Sequence, residues 1–225
     1  MPGVGLLVVN TGQQATDRRS FLELKSEIAR TYNPDDETTL AIAGEAVNSA
    51  IRAFGRYNWP WEVMHHVFSI ASGTETYSLP QAMKAPIACH LLDSNSRLNK
   101  RLGYVPYTTY LTEYTLTDSG DPLLYTFQNL HETGQVFLWP RPASSETAQL
   151  VYYRRTPILR SDDAPLDVPL EAEEAILQWA FYEFYKRIGG EFGAARMNVA
   201  LSEARLARAE LVAFVSERGD PVGVI

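Results

Sequence analysis

The period of the hydrophobic pattern changes at Trp59-Pro60-Trp61, and this change constrains the fold more than any other feature of the chain. Before it, apolar residues recur every three or four positions, as on one face of a helix. After it, residues 63–70 alternate as in a strand with one apolar face. Proline restricts its own backbone and that of the preceding residue. We therefore interpret Trp59, Pro60 and Trp61 as a structural corner.

The composition is that of a globular protein, because 45% of the 225 residues are hydrophobic and 21% are charged. The net charge of −7 argues against a protein that recognises nucleic acid, since such proteins present a basic face to phosphate. No apolar run approaches the roughly 20 residues that cross a bilayer. The single cysteine, Cys89, excludes an internal disulfide and fits a reducing compartment. We expect synthesis in the cytoplasm.

Helical patterns lie on both sides of the central region. Ser20 and Glu23 have capping-box spacing and predict the start of a first helix. The Asp35-Asp36 pair predicts the start of a second helix, which ends near Gly55. A third helix is expected from Pro169 to the Gly189-Gly190 pair, and a fourth from about 191 to 217. The predicted apolar faces are Phe21, Leu24, Ile28 and Tyr32 in the first helix, Leu40, Ala43, Val47, Ala50, Ile51 and Phe54 in the second, and Ile176, Ala180, Phe184 and Ile188 in the third.

Short alternating segments in the central region predict strands. They cover residues 63–70, 76–79, 86–92, 123–128, 135–139 and 147–155, with a short tyrosine-rich helix at 106–114. The last three strands are separated by turn residues at hairpin spacing, which predicts an antiparallel meander.

These patterns predict an α+β fold in which the N- and C-terminal helices pack as a bundle and an antiparallel, barrel-like β module is inserted between them. The expected organisation is an N-terminal arm (1–18), a helical bundle (19–58 with 169–218), a β module (59–168) and a C-terminal tail (219–225).

The chain offers no clear catalytic, cofactor or metal site. His65 and His66 are adjacent on a strand and so point to opposite faces, which disfavours a shared metal. Asp162, Asp163 and Asp167 resemble part of a calcium loop, but the EF-hand pattern needs glycine where Asp167 stands. A loop that caps the next helix is favoured over a calcium site.

The aromatic residues of the central region are open to two interpretations. Tyr104, Tyr107, Tyr110 and Tyr114 recur every three or four positions, so they share one face of a short helix. They form either an exposed contact surface, since tyrosine is enriched at interfaces, or an internal packing cluster.

The order of these features resembles the head-to-tail adaptor proteins of tailed bacteriophages, also called connector or head-completion proteins. The resemblance covers most of the chain after residue 18, and the set of motifs in this order carries it. The matching features are the alanine-rich helix running into Trp59-Pro60-Trp61, residues 68–73, Thr76-Tyr77-Ser78-Leu79-Pro80, Phe137-Leu138-Trp139-Pro140-Arg141-Pro142, Leu150-Val151-Tyr152-Tyr153-Arg154-Arg155, and the acidic loop 162–169 leading into an alanine-rich helical C-terminus.

The resemblance implies a structural virion protein at the head–tail interface, without catalytic activity or cofactors. Its copies would form a ring, usually a dodecamer, that docks on the portal protein, extends the DNA channel and presents a surface to the next tail or stopper protein. Genomic DNA would pass through the lumen without sequence-specific binding. The net charge of −7 per copy is compatible with a lumen that repels phosphate.

The apolar C-terminal tail is the candidate for docking on the portal. Val222, Val224 and Ile225 follow Gly219 and Pro221, and a short apolar segment of this kind can add to a sheet edge or fill a groove. Two other readings compete with an adaptor. One is another protein at the end of a tail tube, a terminator or stopper; the other is a cytosolic enzyme whose site the sequence does not reveal.

Overall fold

The computed structural model describes residues 18–114, 118–129, 134–217 and 223–224. The chain divides into two compact units. The helical unit contains the described residues before Tyr57 and those from Ile158 to Glu217, and the β unit contains Tyr57–Pro157 with residues 223–224. The predicted α+β class is confirmed, because helices lie at both ends of the chain and a barrel-like sheet is inserted between them.

Within the described residues the chain forms five α-helices and a short 3-10 helix, Pro60–Glu62. The helices are α1 (Phe21–Ala29), α2 (Glu37–Phe54), α3 (Tyr107–Glu113), α4 (Leu170–Ile188) and α5 (Gly190–Glu217). The strands are β1 (Tyr57–Asn58), β2 (Val63–Ile70), β3 (Thr76–Ser78), β4 (Met83–Leu92), β5 (Leu98–Tyr104), β6 (Ser119–Gly120), β7 (Leu124–Gln128), β8 (Gln135–Trp139), β9 (Arg141–Pro142), β10 (Glu146–Arg154) and β11 (Gly223–Val224).

Local signals set the helix boundaries of the helical unit. The Ser20 hydroxyl accepts a hydrogen bond from the Glu23 N–H, and the Glu23 carboxylate accepts one from the Ser20 N–H, so the predicted capping box is confirmed. Asp36 caps α2 by accepting a 2.8 Å hydrogen bond from the Thr39 N–H. Gly189 and Gly190 have φ angles of 62° and 61°, a left-handed backbone that favours glycine and ends α4.

The predicted place of Tyr32 on the apolar face of α1 is wrong. The helix ends at Ala29, and Tyr32 lies half-exposed in the following turn, with its ring 5.0 Å from that of Phe192 in α5. The physical reason is Pro34, because it has no N–H to donate to the carbonyl of Arg30, four residues earlier, and its ring would clash with that carbonyl in a continued helix.

The helices α2 and α4 run antiparallel. Phe54 at the end of α2 lies 6.3 Å from Trp179 in the middle of α4, measured between ring centroids. Ser49, earlier in α2, accepts a 2.7 Å hydrogen bond from Arg187 near the end of α4. Later residues of α2 therefore meet earlier residues of α4.

The helices α4 and α5 are also antiparallel. After the turn at Gly189-Gly190, Phe192 lies 6.0 Å from Tyr185, and Arg208, further along α5, lies over the ring of Trp179 at 5.3 Å. Because α4 packs extensively on both α2 and α5, these two helices flank it and point in the same direction.

The β unit is built on a seven-stranded mixed sheet with the order β2-β10-β4-β5-β7-β8-β3. Neighbouring strands are antiparallel except β5 and β7, which pair in parallel as Gly103 with Leu124 and Tyr104 with Tyr125. The chain between these two strands passes through α3, a crossover that parallel neighbours require.

The predicted meander of the last three strands is only partly right. The strands β7 and β8 form the expected antiparallel pair, but β10 pairs with β2 and β4 instead of β8. The second neighbour of β8 is β3. Pro140 and Pro142 lack the N–H that would continue the ladder, and the segment Arg141–Pro142 pairs with Ser119–Gly120. The chain therefore leaves β8 before β10 begins.

The two edge strands of the sheet approach each other, which makes the sheet nearly closed. Phe68 on β2 and Tyr77 on β3 have ring centroids 5.4 Å apart. Apolar side chains from six of the strands, together with Leu79 just after β3, fill the interior. They are Ile70, Leu79, Met83, Cys89, Leu91, Leu102, Tyr125, Phe127, Val136, Leu138, Ala148, Leu150 and Tyr152, with Phe68 and Tyr77 packed against them.

In the part of the chain that the structure describes, none of the helices combines the length and apolar character needed to span a bilayer.

Candidate assembly surfaces

The tryptophan corner belongs to the β unit. Trp59 is buried and stacks on Trp61 with ring centroids 4.8 Å apart and planes 11° from parallel. Pro60 is the first residue of the 3-10 helix, where its fixed φ is favourable and its missing N–H costs nothing. Trp61 is half-buried. Trp59 therefore packs inside the unit, and Trp61 covers it.

A buried ion pair lies beside this corner. Glu62 is 1% exposed, and its carboxylate accepts a 3.0 Å hydrogen bond from the ammonium of Lys84, whose side chain is 7% exposed. Lys84 also donates to the carbonyl of Tyr57, and the Thr156 hydroxyl donates to Glu62. Each charge thus has partners, which a buried charge requires. The sequence carries no signal for this network, because its members are far apart along the chain.

Three of the four tyrosines singled out in the sequence form one aromatic cluster. Tyr107, Tyr110 and Tyr114 lie along α3, and Tyr110 is buried against Phe137 with ring centroids 5.8 Å apart. Tyr114 lies 4.8 Å from Trp139, also between ring centroids. Burial raises the pKa of the Tyr110 phenol. Tyr110 is therefore a packing residue of the β unit, while Tyr107 and Tyr114 are half-buried at its margin.

Tyr104 lies apart from the cluster on α3. It stands on β5, where its ring lies 5.6 Å from Tyr125 and 6.0 Å from Phe127 between centroids, and more than half of its side chain is exposed. Leu111 on α3 and Leu123 before β7 are also exposed apolar residues of this unit. Of the four tyrosines, Tyr104 offers the largest free surface.

The C-terminal tail is described only at Gly223–Val224, and the candidate docking residues Val222 and Ile225 lie outside the described residues. The backbone of Val224 pairs with Tyr57 and that of Gly223 with Asn58, so β11 is antiparallel to β1. This part of the tail thus adds to an edge of its own β unit.

The acidic loop before α4 binds the start of α1. The Phe21 N–H donates to the Ala164 carbonyl and the Leu22 N–H donates to the Asp162 carbonyl, both at 2.9 Å. Lys25 pairs with Asp162 at 2.6 Å, and Arg18 pairs with Asp167. These carboxylates are occupied by cations of the same chain. Among the described residues, no three His, Cys, Asp or Glu side chains are grouped so that they could hold a metal ion.

Arg19 is the centre of the ion-pair network in the helical unit. Its guanidinium pairs with the buried Glu173, with Glu27 at 2.7 Å and with Glu174 at 3.2 Å. Burial alone would lower the pKa of Arg19, but the hydrogen bonds and charges of Glu173 and Glu27 outweigh it and raise the pKa. The network ties the segment before α1 to the first turn of α4.

Cys89 is the one thiol of the chain and lies in the interior of the barrel-like sheet. Burial raises its pKa to about 12, so the thiol stays protonated near neutral pH. His65 and His66 lie next to each other on β2, opposite Val151 and Leu150 of β10. As adjacent strand residues, His65 and His66 point to opposite faces of the sheet.

The residues described above form internal packing clusters and exposed apolar surfaces. Surfaces of this kind are typical of proteins that bind other proteins. A family model described as SU10 adaptor protein matches residues 19–222, which covers both units. No curated protein matches the chain.

Proposed function

Because the chain belongs to the SU10 adaptor protein family, a family of phage head-to-tail adaptors, we propose that its copies form a ring that docks on the portal and connects the capsid to the tail. The protein is a head-to-tail adaptor and a structural component of the virion. The family match over residues 19–222 is the single observation that carries the proposal. A closed cyclic ring is the assembly that fits a cylindrical channel for DNA, and the resemblance to head-to-tail adaptors implies twelve copies.

The charge of the chain supports passage of DNA without binding. Each copy has a net charge of −7, so a ring accumulates negative charge. In the helical unit, Arg18, Arg19 and Lys25 are all paired with carboxylates of the same chain. Cations held in this way contribute little to phosphate binding, which depends on free Lys and Arg. A lumen lined by acidic and paired side chains would let duplex DNA slide through.

Imaging of intact particles tests the proposal directly. We expect a ring of this protein at the vertex where capsid meets tail, with acidic side chains prevailing on the surface that faces DNA. A lone copy, a position elsewhere in the particle, or a lumen lined mainly by Arg and Lys would contradict it.

Docking on the portal is assigned to the C-terminal tail, whose apolar residues are Val222, Val224 and Ile225. Deletion of residues 219–225 should abolish attachment to purified portal rings and leave the helical unit folded. The matched variant Val222→Ser/Val224→Ser/Ile225→Ser keeps the chain length and removes only apolar surface, so it should lose attachment as well. Attachment of both variants at the wild-type level would refute the assignment.

A further inference from the structure

The long helix α5 has an apolar face that its own unit leaves uncovered. Val199 is 59% exposed and Leu206 is 61% exposed, and their spacing of seven places them on one side of the helix. At 3.6 residues per turn, this side is opposite the face that is buried. The buried face consists of Gly193, Ala200, Ala204, Leu211 and Val215.

The uncovered face continues along most of the helix without a charge. Ala195, Ser202, Ala209 and Ala213 are exposed and alternate with Val199 and Leu206 at spacings of three and four. Single exposed apolar residues are normal on a protein surface. A regular row of this kind is typical of a helix that packs against a second helix. Arg196 and Glu203 border the row, seven residues apart and both exposed.

A complementary surface lies on the other side of the helical unit. A cleft of about 400 Å³ opens between α1 and α2. Glu45 and Arg52 line it, and they are also exposed and seven residues apart. Their order of charge along the helix is the reverse of that of Arg196 and Glu203. The remaining lining residues are Phe21, Lys25, Leu40, Ala41, Gly44 and Asn48.

Glu45 and Arg52 make only weak contacts within their own chain, whereas Lys25, which also lines the cleft, is paired with Asp162. The nearest cation to Glu45 is Arg187 at 3.9 Å, and the Glu45 side chain is largely exposed. Arg52 donates a 3.2 Å hydrogen bond to the Ser49 hydroxyl. Both side chains are therefore free to meet a stronger partner from outside.

The directions of the helices allow one copy to bind the next. Within one copy α2 and α5 are parallel and flank α4, so they present different surfaces of the same unit. Neighbours in a dodecameric ring are related by a rotation of about 30°, which keeps corresponding helices nearly parallel. If α5 of one copy lies along α2 of the next copy, Arg196 meets Glu45 and Glu203 meets Arg52, because both pairs have the same spacing and direction. Val199 then lies level with Asn48.

We propose that the ring closes through this contact, in which the part of the α5 face around Val199 of one copy occupies the α1–α2 cleft of its neighbour. The inference rests on the proposed ring. The interface is heterologous, so every copy uses both surfaces and the chain of contacts can close. The paired charges set the register between copies.

Charge reversal tests the contact in the full-length protein. The single variants Glu45→Arg and Arg196→Glu each place like charges together at every interface. Each should lower the fraction of chain in rings on purified portal by about tenfold, measured by native mass spectrometry and negative-stain microscopy. The double variant Glu45→Arg/Arg196→Glu restores opposite charges and should recover most of the wild-type ring fraction.

Two controls separate the possible failures. Arg97→Glu reverses an exposed charge in the β unit and should form rings normally. Thermal unfolding of each monomer checks the fold, which matters most for Arg196→Glu, because Arg196 lies over the rings of Phe192 and Tyr185 in its own chain. Normal rings from both single variants, or a double variant as defective as the singles, would overturn the contact but not the ring. Absence of rings from the wild-type protein on portal would overturn the proposed function and this contact together.

Discussion

The two units each bury one glutamate among their described residues, but they neutralise it differently. In the β unit, Glu62 faces Lys84, and both side chains are removed from water. In the helical unit, Glu173 is 2% exposed, but its partner Arg19 is partly open to solvent and is shared with Glu27 and Glu174. Glu173 also lies in the first turn of α4, where the helix dipole favours a negative charge.

The two pairs differ in exposure: Lys84 is withdrawn from water together with Glu62, whereas Arg19, the cation that faces Glu173, is partly open to solvent and is shared by three carboxylates. Losing one partner of a deeply buried pair leaves an uncompensated charge, which costs more than the pair itself contributes. We therefore expect the β unit to be the more sensitive of the two to a single substitution.

The largest effect is expected from Lys84→Met. This change leaves Glu62 buried without its cation and should lower the free energy of unfolding by about 3–5 kcal/mol. Urea denaturation followed by tryptophan fluorescence measures it, because Trp59 and Trp61 lie beside the pair. The double variant Glu62→Gln/Lys84→Met should be more stable than the single variant. If Lys84→Met lowers the free energy of unfolding no more than the control Lys100→Met does, the proposed difference between the two units is wrong.

A smaller effect is expected from Arg19→Met in the helical unit. Arg19 is partly exposed, so water can take the place of its guanidinium, and the dipole of α4 still favours the charge of Glu173; the loss should therefore be about 1–3 kcal/mol. Chemical denaturation monitored by circular dichroism at 222 nm reports the helices. If Arg19→Met cost more than Lys84→Met, the proposed difference between the units would be reversed.

The capping box of α1 provides a further test of what stabilises the helical unit. Ser20→Ala removes the hydroxyl that accepts from the Glu23 N–H and should cost about 1 kcal/mol. Ser26→Ala, in the interior of the same helix, removes a serine without a capping role and should be neutral or slightly stabilising. Equal losses from the two variants in thermal denaturation would show that the cap does not stabilise the unit.

The smallest effect concerns the pH dependence of the α2 cap. Hydrogen bonds from the Thr39 hydroxyl and N–H lower the pKa of Asp36 below its ordinary value of 3.8. The ionised Asp36 cap stabilises the folded protein fully above the pKa that Asp36 has in the unfolded chain. This stabilisation is lost as the pH falls through the lower pKa that Asp36 has in the folded protein. The stability difference between wild type and Asp36→Asn should therefore shrink below about pH 3.8.

A second variant isolates the cause of this pH dependence. In the Thr39→Val background the hydrogen bond from the Thr39 hydroxyl to Asp36 is absent. The stability difference between Asp36 and the Asp36→Asn variant should then depend less on pH in the acid range. An unchanged pH profile in that background would assign the effect to another group.

The fold was predictable where the signal is local. The caps at Ser20 and Asp36 and the glycine turn at Gly189-Gly190 depend on residues within one turn of each other, and all three are confirmed. Tyr32 is the exception and shows the limit of periodicity. The apolar spacing continues past Ala29 to Tyr32, but Pro34 prevents the helix from extending that far.

The candidate surfaces were less predictable. The spacing of the tyrosines placed Tyr104, Tyr107, Tyr110 and Tyr114 on one helix face, but Tyr104 ends the strand β5. The spacing also could not say that the face of α3 lies against Phe137 and buries Tyr110. The position of Phe137 depends on the pairing of β8 with β3 and β7, which joins segments far apart in the chain.

The sequence alone determined the capped starts of α1 and α2, the glycine end of α4, the change of period at Trp59-Pro60-Trp61, and the class of the fold. Hydrogen bonds between near neighbours and the alternation of side chains set these features, so a short window of residues suffices. Only the tertiary structure decided the order of the strands, the pairing of Glu62 with Lys84, and the parallel course of α2 and α5. These depend on contacts between distant segments, whose choice among many possible partners is made when the whole core packs.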